Sequence, residues 1–234
     1  MCFSAPASFI ASTALISIDV FCLFHLRKKD QKYVLFALIP FFFGIQQFLE
    51  GCIWLSVNGA NSGLTKLLGF IYLFFAFCFW PIFVPMAVFL AEQQKEPLVK
   101  RWLSIMLVTG IAVGLACYIP ILLGTVTFHV QTLNHSIAYI TSRSVLLDAF
   151  LLSLYIFAII TPFWIVSEIQ MQRFGYILLS SVCLTFLFYR YAFYSVWCFF
   201  AAILSIYIAH MLYHLPEVNL AGRRQSHPHY KRLK

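Results

Sequence analysis

The stretch Pro40-Phe-Phe-Phe-Gly-Ile-Gln-Gln-Phe-Leu-Glu-Gly-Cys-Ile-Trp54 decides how the chain is read. It lies inside an apolar run from Tyr33 to Ser56, long enough to cross a bilayer as a helix, yet it carries two amides and a carboxyl group. On a helix Gln46, Glu50 and Trp54 share one face at i, i+4 and i+8, and Gln47 and Glu50 form an i, i+3 pair. A carboxyl group at membrane depth costs several kcal/mol unless the protein satisfies it, so it marks a candidate site.

Working outward, similar apolar runs repeat along the 234 residues. The chain is 62% hydrophobic and 18% aromatic but only 10% charged, where a soluble globular domain carries about a quarter charged residues. The fold class expected is all-α: a polytopic membrane protein with seven transmembrane helices at about 7–26, 33–56, 66–91, 102–124, 144–166, 174–189 and 194–213. Residues 1–214 form the transmembrane domain and 215–234 a basic tail. The last two spans come from one apolar run, Phe174 to His214. As a single helix it would be about 60 Å long, twice the hydrocarbon thickness, so it must fold back near Arg190. A β-barrel is excluded, because these runs are apolar all round instead of alternating with period two.

Threading the spans sorts the basic residues. Thirteen of the sixteen lysines and arginines fall on one side, and only Lys66, Arg143 and Arg190 on the other. That asymmetry predicts the N-terminus outside and the C-terminus in the cytoplasm. The net charge of +8 is therefore an orientation signal and not a nucleic-acid footprint. The partners expected are the lipid bilayer, anionic lipid headgroups at the basic tail, and a small ligand or ion, with no nucleic acid. No Walker, dinucleotide-glycine, GxSxG or HExxH motif occurs, and no span interior carries a lysine for a retinal Schiff base.

Two clusters emerge at different depths. The outer one comprises Gln46, Gln47, Glu50 and Trp54, with Glu50 about 9 Å below the end of its helix and Asp148 on the fifth span one turn in from Arg143. It reads either as a polar clamp between helices or as a contact for a ligand or ion. Prolines within spans (Pro40, Pro81, Pro85, Pro120, Pro162) open room nearby, which Trp54, Trp80 and Trp197 could line. The inner cluster is His210-Met-Leu-Tyr-His214, two imidazoles one turn apart, with His25 at matching depth on the first span. Three such ligands plus water would make an open catalytic zinc site. Asp19 falls near the middle of the first span, and His129 and His135 sit in the longest connection.

Met1-Cys2-Phe3-Ser4-Ala5, the Gln46-Gln47-x-x-Glu50-Gly51-x-x-Trp54 segment, Trp80-Pro81 and Ser195-Val-Trp-Cys-Phe-Phe-Ala-Ala202 together resemble a bacterial family of small multi-pass membrane proteins of unknown function. The resemblance touches spans one, two, three and seven. It implies that Cys2, Glu50 and Cys198 belong to a common site. There the two cysteines would pair as a disulfide, hold a soft metal with the N-terminal amine, or simply pack. The late HxxxH is faintly similar to the seven-helix zinc hydrolases of the alkaline ceramidase and adiponectin receptor group. That group supplies a third histidine and an aspartate from early-middle helices, whereas spans two and three here contain neither.

The leading expectation is a binding or sensing protein of the bacterial inner membrane, rather than an enzyme, that takes a small ligand or ion at Gln46, Gln47, Glu50, Trp54, Cys2 and Cys198. The alternatives are a zinc hydrolase at His25, His210 and His214, and a proton- or ion-coupled transporter titrating Glu50 and Asp148.

Overall fold

In a computed structural model, the protein is described over residues 4–26, 31–92, 96–133 and 135–214, with only the backbone given for Arg190, Cys198 and Ala201. Seven helices in this part are long and apolar enough to cross a membrane, as a multi-pass protein requires: α1 (Ala5–Leu26), α2 (Gln31–Asn58), α3 (Ser62–Ala91), α4 (Pro97–Leu122), α5 (Val145–Ile165), α6 (Ile169–Phe188) and α7 (Phe193–His214). Their apolar character explains where they sit, but caps and breakers set their ends. Asn61 starts α3, its Oδ1 accepting from the Leu64 amide at 3.0 Å, and Ser144 starts α5 by accepting from the Leu147 amide at 3.4 Å. Pro97 opens α4 five residues before the apolar run that predicted it, since a proline at the first turn forfeits no helical hydrogen bond. The long final run folds back through a 3₁₀ turn at Arg190–Ala192.

Two of the helices are internally irregular. In α2, a short turn at Gln31–Tyr33 and a helix over Val34–Ala37 precede the main body, Ile39–Asn58. In α3, a π-helical turn over Phe74–Phe79 runs directly into Trp80-Pro81. Prolines at 81 and 85 remove two backbone donors just beyond this wide turn.

Helix pairs lock through close glycine contacts. The buried positions of α1 (Ala5, Ser8, Ser12, Leu15, Asp19, Cys22 and Leu26) alternate by three and four residues, the spacing of a left-handed coiled-coil seam. They face α2, where Gly44 lies against Ser12 and Ile16, and Gly51 lies under the ring of Phe9. A Cβ at Gly51 would come within 2.7 Å of that ring, so the close approach depends on glycine. Between α3 and α4 the contact is tighter: a Cβ at Gly110 would overlap the Pro81 carbonyl oxygen.

One connection of the helical bundle is not helical. The 125–142 connection contains an antiparallel hairpin, β1 (Phe128–Leu133) with β2 (Ser136–Thr141), paired from Phe128↔Thr141 to Leu133↔Ser136. Ser136 to Tyr139 are buried, and Tyr139 stacks flat on Tyr72 of α3 at 4.5 Å. The hairpin is thus packed into one end of the bundle. His129 and His135 remain exposed on it.

Candidate functional site

The polar turn of α2 faces inward as its periodicity predicts: Gln46, Gln47 and Glu50 are fully buried, and Trp54 nearly so. Each makes its contacts through a different neighbour. Trp80 of α3 donates its indole N–H to Gln46 Oε1 at 2.6 Å, and stacks on Phe43 of α2 at 3.9 Å. Ser195 of α7 donates its hydroxyl to Glu50 Oε1 in a very close contact. Gln47 donates its amide to Glu50 Oε2 at 3.3 Å. One helical turn therefore ties α2 to α3 and α7 at buried polar points.

Gln47 also lies on the α1 seam, four residues before Gly51 and three after Gly44. Its carbonyl Oε1 is buried with no hydrogen-bond partner among the described residues, and the same holds for Ser8 Oγ on the facing seam of α1. A third atom of this kind is the indole Nε1 of Trp197, two residues after Ser195. Trp197 and Trp80 line a small, almost wholly apolar cavity of about 40 Å³ with Phe43, Tyr155 and Phe163. Of the three tryptophans expected to line a room here, Trp54 is not part of its wall.

The remaining candidates separate. Asp148 does not join Glu50. Arg143 Nη1 meets Asp148 Oδ1 at 3.0 Å, Thr141 donates to its Oδ2 at 3.1 Å, and Arg143 Nη2 donates to the Cys117 carbonyl at 2.8 Å. The Arg143 side chain is only 5% exposed and lies over the Phe77 ring, so this ion pair pins the start of α5 to α4. Asp19 is buried at the far half of the α1 seam, and its Oδ1 has no partner among the described residues.

Of the histidines, His210 and His214 meet edge to face with ring centroids 4.4 Å apart. His25 instead donates from Nδ1 to the Phe21 carbonyl at 2.9 Å and packs against Phe21 and Tyr213. Among the described residues no three His, Cys, Asp or Glu side chains gather as metal ligands would. Cys2, the side chain of Cys198 and the tail 215–234 lie outside the described residues.

Sequence reasoning did not assign Ser195 to the site. Its only signal was membership of the Ser195–Ala202 stretch, because nothing local says which span its hydroxyl will face. Comparison with known proteins agrees with the resemblance carried by these motifs. The chain belongs to DUF6629, a family of unknown function whose model matches residues 1–223 and so includes spans four to six as well. No curated protein and no solved structure matches it.

Proposed function

From this membership of a family of unknown function, and from the geometry of the α2 turn, we propose a binding or sensing protein of the bacterial inner membrane. Its N-terminus lies outside and its C-terminal tail in the cytoplasm, near anionic headgroups. It takes a small polar ligand or ion at Gln47 and Glu50, from the extracytoplasmic side. One observation carries this reading: the buried turn retains an acceptor, Gln47 Oε1, that no described residue satisfies.

A clamp that served only to hold helices together would pair its polar atoms, because each one left unpaired in a dry interior costs about 1–3 kcal/mol. Interhelical hydrogen bonds contribute only about 0.6–2 kcal/mol in return. The Gln47 acceptor lies next to a carboxyl group already oriented by Ser195.

The test is thermal stability of the detergent-purified protein in sodium, potassium, calcium and choline chlorides at equal ionic strength, and in small amides and amino acids. At least one of these solutes raises the melting temperature of the wild type and not that of Gln47→Leu, which keeps the volume and removes the acceptor. If every solute shifts both proteins equally, the turn is a clamp and the binding role is lost.

A further inference from the structure

A second concavity lies apart from the α2 turn, at the hairpin end of the bundle. It is a cleft of about 680 Å³ between the end of α2, the first turns of α3, the end of α4 and β1. Its volume falls within the roughly 300–1,000 Å³ typical of ligand pockets. Its floor holds two hydroxyls, Ser56 Oγ and Thr65 Oγ1, 2.9 Å apart, which share their two protons between each other and the Ile53 and Asn61 carbonyls. One rim is rigid, because Val130 and Phe128 of β1 press directly onto Gly69 of α3.

The lining divides by chemistry. Phe70, Ile121, Val126 and Phe128 give an apolar wall, whereas Lys66 and His129 are the lining residues able to carry positive charge. No aspartate or glutamate lines the cleft. Lys66 makes no ion pair among the described residues, although Arg143, at the same end of the bundle, is paired with Asp148. Basic residues are scarce at this end, so an unpaired lysine beside an apolar cleft is not explained by the charge pattern that orients the chain.

We propose that this cleft binds an anionic amphiphile, a phosphate or carboxylate head on an apolar chain, with the head at Lys66 and the chain along Phe70 and Ile121. The inference is independent of the Glu50 reading, since none of Gln46, Gln47 and Glu50 lines the cleft. Such a head is drawn either from a lipid of the facing leaflet or from a soluble molecule. Both sources share the chemistry, an anion whose charge meets an ammonium while its chain leaves water.

The experiment uses the full chain in a neutral detergent, with oleoyl-lysophosphatidate as probe and bound ligand counted by native mass spectrometry. Lysophosphatidate binds, and neither lysophosphatidylcholine nor inorganic phosphate displaces it. Lys66→Ala weakens binding by about tenfold or more, the loss expected for one charge-assisted contact, and Lys66→Arg restores most of it. Ser62→Trp, an exposed lining position on the first turn of α3, fills the cleft and abolishes binding without unfolding the chain.

Repeating the titration in nanodiscs separates the two sources. If phosphatidylglycerol in the disc competes where phosphatidylcholine does not, the occupant is a leaflet lipid; if neither competes, it is a soluble amphiphile. Equal binding of lysophosphatidylcholine, full displacement by inorganic phosphate, or unchanged binding in both Lys66→Ala and Ser62→Trp would each overturn the proposal.

Discussion

Glu50 offers a quantitative test, because two substitutions at one position should differ sharply. In Glu50→Gln the side-chain length is unchanged. The new amide can donate to Ser195 Oγ, whose hydroxyl rotates to accept, while the remaining carbonyl keeps the Gln47 amide now bound at 3.3 Å. The net change is the exchange of charged for neutral hydrogen bonds, about 1 kcal/mol. Glu50→Ala instead strands two buried donors, the Ser195 hydroxyl and the Gln47 amide, each costing about 1–3 kcal/mol, and leaves a cavity besides.

The expected loss in Glu50→Ala is therefore about 3–5 kcal/mol, several times that of the glutamine variant. A double-mutant cycle with Ser195→Ala isolates the pair, and its coupling energy should fall within about 0.5–3 kcal/mol. Denaturation of the detergent-solubilised protein, followed by tryptophan fluorescence, provides the readout. Equal, small effects of Glu50→Ala and Glu50→Gln, or a coupling energy of zero, would mean that the carboxyl does not sit among α2 and α7 as described. The reasoning from burial would then fail.

Three other perturbations report on the frame around this turn. Gly110→Ala must push α4 off the Pro81 carbonyl, a backbone atom that cannot rotate away, and should cost at the upper end of the about 1–3 kcal/mol typical of overpacking, read as a lowered melting temperature. Arg143→Lys cannot reproduce a guanidinium that holds Asp148 and the Cys117 carbonyl together, so it should destabilise nearly as much as Arg143→Ala, by about 1–3 kcal/mol; equal stability of Arg143→Lys and wild type would contradict the ion pair. Tyr139→Ala removes the ring stacked on Tyr72 and should loosen the hairpin without unfolding the helices, detected as faster proteolytic cleavage near His135 with unchanged helical circular dichroism.

The seven long helices were legible because bilayer thickness leaves a sequence few choices. A 41-residue apolar run from Phe174 to His214 has to turn back, and it does so at Arg190–Ala192. The inward direction of Gln46, Gln47 and Glu50 was equally open to reading, since their spacing matches the helical period and lipid rejects them.

Less legible were features that depend on pairing distant segments. That Ser195 meets Glu50 follows from how α2 and α7 pack. Local spacing carries no record of that packing. The hairpin escaped notice because its turn, closing between Leu133 and Ser136, uses His135 at φ 57° in place of a glycine signal. Its inner strand, Ser-Ile-Ala-Tyr, is buried on successive residues instead of alternating. Asn61 and Pro97, not the limits of apolar sequence, begin α3 and α4, several residues ahead of the apolar runs.

The wide turn at Phe74–Phe79 amounts to one surplus residue wound into α3. Rewinding that turn as ordinary helix with all its residues kept would rotate everything downstream by about 100°, the angle each residue subtends on a helix. The Trp80 indole would swing off the Gln46 carbonyl, and at the same stroke Pro81 would lose its seat on Gly110. The surplus residue thus sets the phase that aims Trp80 at the polar turn and Pro81 at the neighbouring helix together.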